Sequence, residues 1–423
     1  MPVYCFNTWL KYTYLYFRHE GKTAPNLINT SSIPLKAGVA KNAPLAKTMP
    51  VSYDWGLVVS SLALLLLGLV MMASASVNIA QTHFGEPLYY FWRQLGTVSI
   101  GLLLVLIVLQ IPVAVWQSWS VRLLLSGIIM LFIVLIPGIG HEVNGSMRWL
   151  KIGEMQFQPS EWIKLLTIWY LAGYLVRRPK EVRETVRGFL KPIAVIGLMT
   201  SLLLLEPDYG TIVVLFSTVL GMLFLAGVPI RQFWSWITII LTALSGLMIL
   251  APYRLTRLTA FMDPWADPFN SGFQLTQALI AIGRGEWFGV GLGNSVQKLS
   301  YLPEAHTDFL FAILAEELGL IGVVTVIGLF TWLVLSAFAI AIRAERAGKD
   351  YAAYTAYGIG LEIGIQASIN LGVNMGLLPT KGLTLPLMSY GGSSLIITSV
   401  MLALLLRIDY ETYRLKPLLQ YSK

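Results

Sequence analysis

A single cysteine, Cys5, is all the thiol this 423-residue chain carries. That excludes an internal disulfide framework and any cysteine-based metal cluster. The 4 histidines are scattered, without the spacing of a metal-ligand set. Charge is scarce as well: Asp, Glu, Lys and Arg make up 12% of the chain, roughly half the share of a soluble domain. The glycines from Gly283 to Gly293 do not form a nucleotide loop, since no strand precedes them and no Lys-Ser/Thr follows. They read as a loop that lets backbone approach a ligand or another loop. Residues 1–50 lack an uninterrupted apolar core with a small-residue cleavage site, so no signal peptide is expected there.

What the chain has is apolar length. It is 56% hydrophobic, with a mean hydropathy of +0.68. Runs of about 17–25 apolar residues, the length that crosses a hydrocarbon core, recur along it. The fold class expected is an all-α polytopic membrane protein of about ten transmembrane helices, since only helices or closed barrels satisfy backbone groups in lipid. The spans fall near 55–74, 93–111, 121–137, 160–176, 190–205, 209–227, 232–250, 309–341, 353–376 and 386–407. With both termini cytoplasmic, inner segments hold about 21 Lys and Arg and outer ones about 8, the bias that sets orientation. The net charge of +8 therefore suits an anionic inner leaflet, not nucleic acid.

Three regions follow. Residues 1–50 read as a cytoplasmic tail, either flexible or anchored at the interface by Tyr12, Tyr14, Tyr16 and Phe17; Met49 is an alternative translation start. Residues 51–412 form the membrane domain, with one long outer loop, 251–308, between the seventh and eighth spans. Residues 413–423 are a cytoplasmic C-terminal tail. The eighth span is longer than a bilayer requires and is expected to tilt or project.

Polar groups beside apolar runs are costly unless paired or used, so they mark candidate sites. Asp308 lies in the block Pro303-Glu304-Ala305-His306-Thr307-Asp308-Phe309 and opens the eighth span. It is either a helix cap or a general base at the membrane surface, with His306 beside it. Glu161 and Lys164, three apart on one helix face, are either a self-satisfied pair, or Lys164 joins Arg148 of the preceding outer loop in binding an anionic group such as pyrophosphate. Glu362, Gln366, Asn370 and Asn374 recur every four residues along the ninth span. That stripe either glues helices together or lines a hydrated cavity reaching the Lys381 segment. Gln274 and Gln277 sit on a short helix in the long loop, Glu206-Pro207-Asp208 reads as a tight outer turn, and Ser389 begins a small-residue stretch before the tenth span.

These blocks together resemble the SEDS family of cell-division, rod-shape and sporulation proteins. The resemblance spans about Asp54 to Thr412. It is carried by Arg148-Trp149, Gln158-Pro159-Ser160-Glu161, Glu206-Pro207-Asp208-Tyr209-Gly210, Gly291-Leu292-Gly293-Asn294-Ser295-Val296-Gln297-Lys298, and the segments around Asp308 and from Leu378 to Ser394. Ala305, where the rod-shape branch tends to have Arg, together with Thr380-Lys381-Gly382-Leu383-Thr384, points to the division branch; the first twenty residues match no family pattern.

The resemblance implies a septal peptidoglycan glycosyltransferase that polymerises lipid II onto a nascent glycan strand. Transfer is β-1,4 and inverting, and releases undecaprenyl pyrophosphate. Asp308 is implied as the general base. Arg148, Glu161 and Lys164 are implied as cavity residues toward the donor pyrophosphate, and Gln277, His306, Lys381 and Ser389 as further substrate-binding residues. No cofactor is called for by the residues; whether a divalent cation (Mg or Mn) shares the pyrophosphate charge stays open, since no dedicated metal site is visible. Implied partners are a class B penicillin-binding protein, the septal transpeptidase FtsI, and divisome activators. The implied location is the inner membrane at the septum, with the active site facing the periplasm. Two other readings stand beside this one: a lipid II flippase, motivated by the polar stripe on the ninth span together with intramembrane Glu161, Lys164 and Glu362, and a non-catalytic divisome scaffold.

Overall fold

The computed structural model describes residues 53–420, except 144–145, 154, 300, 381 and most of 230–260. The tail at 1–50 and most of the seventh span expected at 232–250 fall outside the described residues.

The chain is mainly helical. In order come α1 (Trp55–Phe84), α2 (Tyr89–Gln110), α3 (Val113–Val134), β1 (Gly140–Val143), β2 (Ser146–Ile152), β3 (Met155–Phe157), α4 (Pro159–Arg177), α5 (Pro179–Glu184), α6 (Val186–Leu205), α7 (Tyr209–Leu225), α8 (Phe273–Gly285), α9 (Leu310–Arg346), α10 (Asp350–Asn374) and α11 (Gly392–Gln420). Among the described residues 6 helices are long and apolar enough to cross a membrane: α1, α2, α3, α6, α9 and α11. The shorter α7 is apolar but has only 17 residues. The polar helices α4 and α10 pack on each other, and α10 also lies along α9 and α7. Surrounded in this way, they can carry groups that lipid would reject.

One feature departs from the all-α expectation. The segment before α4 is a three-stranded antiparallel sheet in the order β1-β2-β3. Gly140 pairs with Leu150 across the first ladder, and Leu150 with Phe157 across the second. Between β1 and β2 the sequence reads Asn144-Gly145, the dipeptide favoured in two-residue hairpins. Strands this short leave no hydropathy signal beside twenty-residue spans. At the other end, α11 continues to Gln420, through most of the stretch read as a C-terminal tail.

The length of α9, 37 residues, has a different cause from tilt alone. The helix is broken at Gly319, whose φ of 64° and ψ of −161° are not helical. Only glycine fits there: a Cβ would lie 2.4 Å from the Gly289 nitrogen. The 286–291 chain crosses the break and takes over its backbone bonds. Val290 and Gly291 donate to Glu316 O and Glu317 O, and Leu320 and Ile321 donate to Glu286 O and Trp287 O.

The carboxylates of Glu316 and Glu317 are fully buried at the break. Glu316 accepts from Arg284 Nη1 (2.9 Å), Ser295 Oγ (2.5 Å) and Val296 N (3.1 Å). Glu317 accepts from Lys298 Nζ (2.7 Å) and from Ser74 Oγ of α1 (2.8 Å). The glycine-rich loop thus approaches a helix backbone and its two acids. A 340 Å³ cavity beside the break is lined mainly by apolar groups, among them Ile282, Phe311, Leu320 and Val323.

At the opposite end of α9, Arg343 Nη2 donates to Asp54 Oδ2 and to Asp409 Oδ1, both at 2.8 Å. Asp409 Oδ2 also accepts from Asp54 N. One guanidinium therefore joins the start of α1, the end of α9 and the body of α11.

Candidate functional site

The loop before α9 is wound tightly on Glu304, a non-glycine residue at φ 56°. Thr307 N and Phe309 N both donate to Glu304 O, and Thr307 Oγ1 reaches Glu304 Oε2 at 2.7 Å. His306 is buried against the rings of Tyr90 and Tyr390, with centroids 4.8 and 5.6 Å away. Burial lowers its pKa against the opposing pull of Glu304, which keeps the ring neutral. Its carbonyl accepts from Tyr390 N, which ties this loop to the one before α11.

Asp308 follows, and it does not cap α9. Phe309 occupies the cap position and makes no side-chain cap bond. Among the described residues the Asp308 carboxylate accepts no hydrogen bond; a Cβ placed on Gly382 would stand 3.2 Å from its Oδ2. Burial first, then the charge of Glu304, pushes its pKa up to about 7; Asp208 adds to the rise and Arg148 opposes it. The carboxyl is thus poised at neutral pH, where a general base works best.

Arg148, on β2, donates from Nε to Glu206 O (2.8 Å) and from Nη2 to Pro207 O (2.7 Å). It therefore braces the 206–208 turn while lowering the pKa of Asp308. Within that turn the Glu206 carboxyl is fully buried with no hydrogen-bond partner among the described residues. Burial and the charge of Asp208 push it up to about 8, so it is mainly protonated at neutral pH. Asp208 caps α7 through Thr211 N (3.3 Å) and also accepts from Ser160 Oγ (2.8 Å) and Thr211 Oγ1 (2.9 Å). A turn that reads as a mere connection thus adds a second acidic group to the surroundings of Asp308, and nothing in its tripeptide announces this.

Deeper in the bundle Lys164 is only 2% exposed. It pairs with Glu161 Oε2 (3.0 Å) and Glu362 Oε1 (3.1 Å), and donates to Gln366 Oε1 (2.5 Å). Two carboxylates thus surround one ammonium, and Lys164 shares no partner with Arg148. The stripe on α10 continues outward from this cluster. Gln366 Nε2 donates to Thr384 O, Asn370 Nδ2 to Leu383 O and Asp308 O, and Asn374 Nδ2 to Asp308 O. Every member of the stripe is engaged in holding another segment.

Of the remaining candidates, Ser389 Oγ accepts from Leu385 N, and Ser389 O accepts from Gln94 Nε2. It secures the turn before α11. Gln277 is half-buried on α8 and joins none of these hydrogen bonds among the described residues. Lys381 lies outside the described residues. Among the described residues no three of His, Cys, Asp and Glu converge in a way that could hold a metal ion.

Comparison with known proteins gives a consistent result. The model of the FtsW/RodA/SpoVE family, described as cell cycle proteins, matches residues 55–414. The chain is 57% identical over 364 residues to the probable peptidoglycan glycosyltransferase FtsW of Nitrosococcus halophilus, covering 85% of this chain and 92% of that one. The probable peptidoglycan glycosyltransferase FtsW of Legionella pneumophila is 53% identical over 363 residues, covering 86% and 92%.

Among solved structures, a chain from work on how a peptidoglycan synthase complex coordinates polymerization and crosslinking superposes with a TM-score of 0.70. It is 31% identical, and the match covers 86% of this chain and 99% of that one. The rod shape determining protein RodA of Thermus thermophilus gives a TM-score of 0.63 at 31% identity, covering 86% and 98%. A match that runs from the first described helix into the last, at this identity, places the chain in the FtsW/RodA/SpoVE family of cell cycle proteins.

Proposed function

We propose that this chain is a peptidoglycan glycosyltransferase of cell division that polymerises lipid II. The observation that carries the reading is the Asp308 carboxylate, poised near neutrality and without a hydrogen bond among the described residues. Relatives more than half identical bear the glycosyltransferase name. Asp308 takes the proton from the 4-hydroxyl of the acceptor GlcNAc. That oxygen forms a bond to C1 of the MurNAc at the end of the growing strand, and the C1–O bond to undecaprenyl pyrophosphate breaks with inversion. A base within reach of the attacking hydroxyl contributes about 10²–10⁴-fold.

Arg148 is the cation assigned to the departing pyrophosphate. A divalent ion would have to arrive with the pyrophosphate, and no step is assigned to one. Lys164, between Glu161 and Glu362, anchors the α10 stripe from below. His306 and Ser389 support the two loops that meet over Asp308, while Gln277 and Lys381 are assigned to the sugar-binding rim.

We further assign ten spans with cytoplasmic termini, a periplasm-facing site at the septum, and a class B penicillin-binding protein as partner, with divisome activators acting on that pair. The stripe that motivated a flippase is occupied in holding loops, which leaves transport without its main support. The test is polymerisation of labelled lipid II by the purified complex with its penicillin-binding partner. Wild type is expected to give polymer and Asp308→Ala none; polymer from both would return the aspartate to a structural role.

A further inference from the structure

In a regular α-helix the carbonyl of one residue accepts the N–H four residues on. A chain turning helical from Asp308 would therefore join Asp308 C=O to Ala312 N–H, and here the two groups are not joined. Ala312 N–H donates instead to Asn374 Oδ1 (3.2 Å), and bends toward Phe309 O (3.0 Å). Asp308 C=O accepts from Asn374 Nδ2 (3.0 Å) and Asn370 Nδ2 (2.9 Å).

The Asn374 carboxamide thus stands between the two backbone groups and satisfies both, as a peptide unit from α10 inserted into the first turn of α9. Asn374 is fully buried and Asn370 nearly so. The same Asn370 amide donates to Leu383 O, so it fastens the Asp308 carbonyl to the loop carrying Gly382.

We infer that Asn374 is a positioning residue for the transfer reaction: its carboxamide splits the first turn of α9 and keeps Asp308 outside the helix, its carboxylate turned toward Gly382 and not onto its own helix terminus. The inference rests on Asp308 being the base. Without the wedge, the 308-to-312 bond closes and Asp308 moves to the helix N-terminus. A carboxylate there accepts N–H groups of the first turn, and the positive end of the helix favours its anion. The result is a weaker base aimed at its own backbone. Among the described residues, the charged groups facing Asp308 are Glu304 from its own loop, Arg148 from β2 and Asp208 at the start of α7.

The test uses the partner-bound protein and labelled lipid II, with Asn374→Leu, Asn374→Asp and the reference Asp308→Asn. For Asn374→Leu, kcat is expected to fall about 100-fold with KM nearly unchanged, the cost of misplacing a reacting group. The acid limb of its pH–rate profile moves to lower pH.

Asn374→Asp is isosteric and keeps the wedge only while protonated, because the neutral acid both donates and accepts whereas the anion only accepts. Its activity should decline as pH rises, opposite to wild type. An acid limb in Asn374→Leu that stays in place, whether or not rate is lost, overturns the inference, and so does an Asn374→Asp profile that tracks wild type. Should Asn374→Leu not fold, Asn374→Asp decides alone. Activity in Asp308→Asn would remove the base assignment itself. An inactive Asp308→Asn beside wild-type behaviour in both Asn374 variants would remove the positioning role alone.

Discussion

Replacing Glu304 with Gln should move the pH dependence of polymerisation without moving the chain. The side chain keeps its shape, and its oxygen still accepts from Thr307 Oγ1. What disappears is a negative charge that, after burial, is the next largest influence holding the Asp308 carboxyl up at about 7. A single charge roughly ten ångströms off, at an effective dielectric constant near 20, changes a carboxyl pKa by about 1 unit, and solvent screening brings a nearer charge to a similar effect.

For wild type with a pKa of about 7, roughly a tenth of Asp308 is ionised at pH 6, following the tenfold-per-unit relation. For Glu304→Gln that fraction rises to about half. Each profile is normalised to its own plateau near pH 8, because a weaker base also lowers the plateau by up to about threefold. At pH 6 the variant should then retain about five times the relative rate of wild type. Arg148→Gln gives the opposite control, since Arg148 pulls the pKa of Asp308 down and its loss shifts the limb to higher pH. The assay is initial-rate polymerisation of labelled lipid II from pH 5 to 9, with the partner present. An acid limb that does not move in Glu304→Gln, or that moves the same way in both variants, would refute the assignment of that limb to Asp308.

Two further outcomes concern stability. Asp308→Asn should raise the melting temperature at pH 8 while abolishing activity. The raised pKa means the folded state binds the proton more tightly than the unfolded chain, so the ionised carboxylate costs stability as pH rises from about 4 to about 7 and the cost is constant above. Roughly 1–2 kcal/mol should be recovered at pH 8 after allowing for partial exposure, and little at pH 4; an equal gain at both pH values would contradict this. Glu317→Gln or Lys298→Met alone should destabilise by about 3–5 kcal/mol by leaving a buried charge unpaired, whereas the double variant should cost much less. Thermal unfolding of all four proteins measures that coupling, and additive losses would show that the pair is not a closed unit.

The lipid-facing helices were legible because their only requirement is apolar length, and α2 and α6 lie within a few residues of their expected spans. The inner helices were legible for the opposite reason: Lys164 and the Glu362–Asn374 stripe are too polar for lipid and must face protein. What each polar group holds was not legible, because partners such as Leu383 O and Asp308 O are backbone atoms brought in by folding. Asp308 itself was visible as a candidate but ambiguous, since a helix cap and a base carry the same residue at the same place. Asn374, 66 residues away, decides the geometry. The break at Gly319 and the paired acids beside it were hidden too, because the groups that hold Glu316 and Glu317 come from the 286–298 segment that folding lays across them.

That break makes α9 two levers instead of one. A continuous helix transmits rotation from end to end through its own backbone. Here the short N-terminal piece that carries the start of the helix is bolted to the loop segment crossing at 286–291, and the long C-terminal piece is bolted through Arg343 to α1 and α11. The two pieces are therefore held by different parts of the bundle, and a rotation of one is not obliged to pass to the other through a continuous helical backbone.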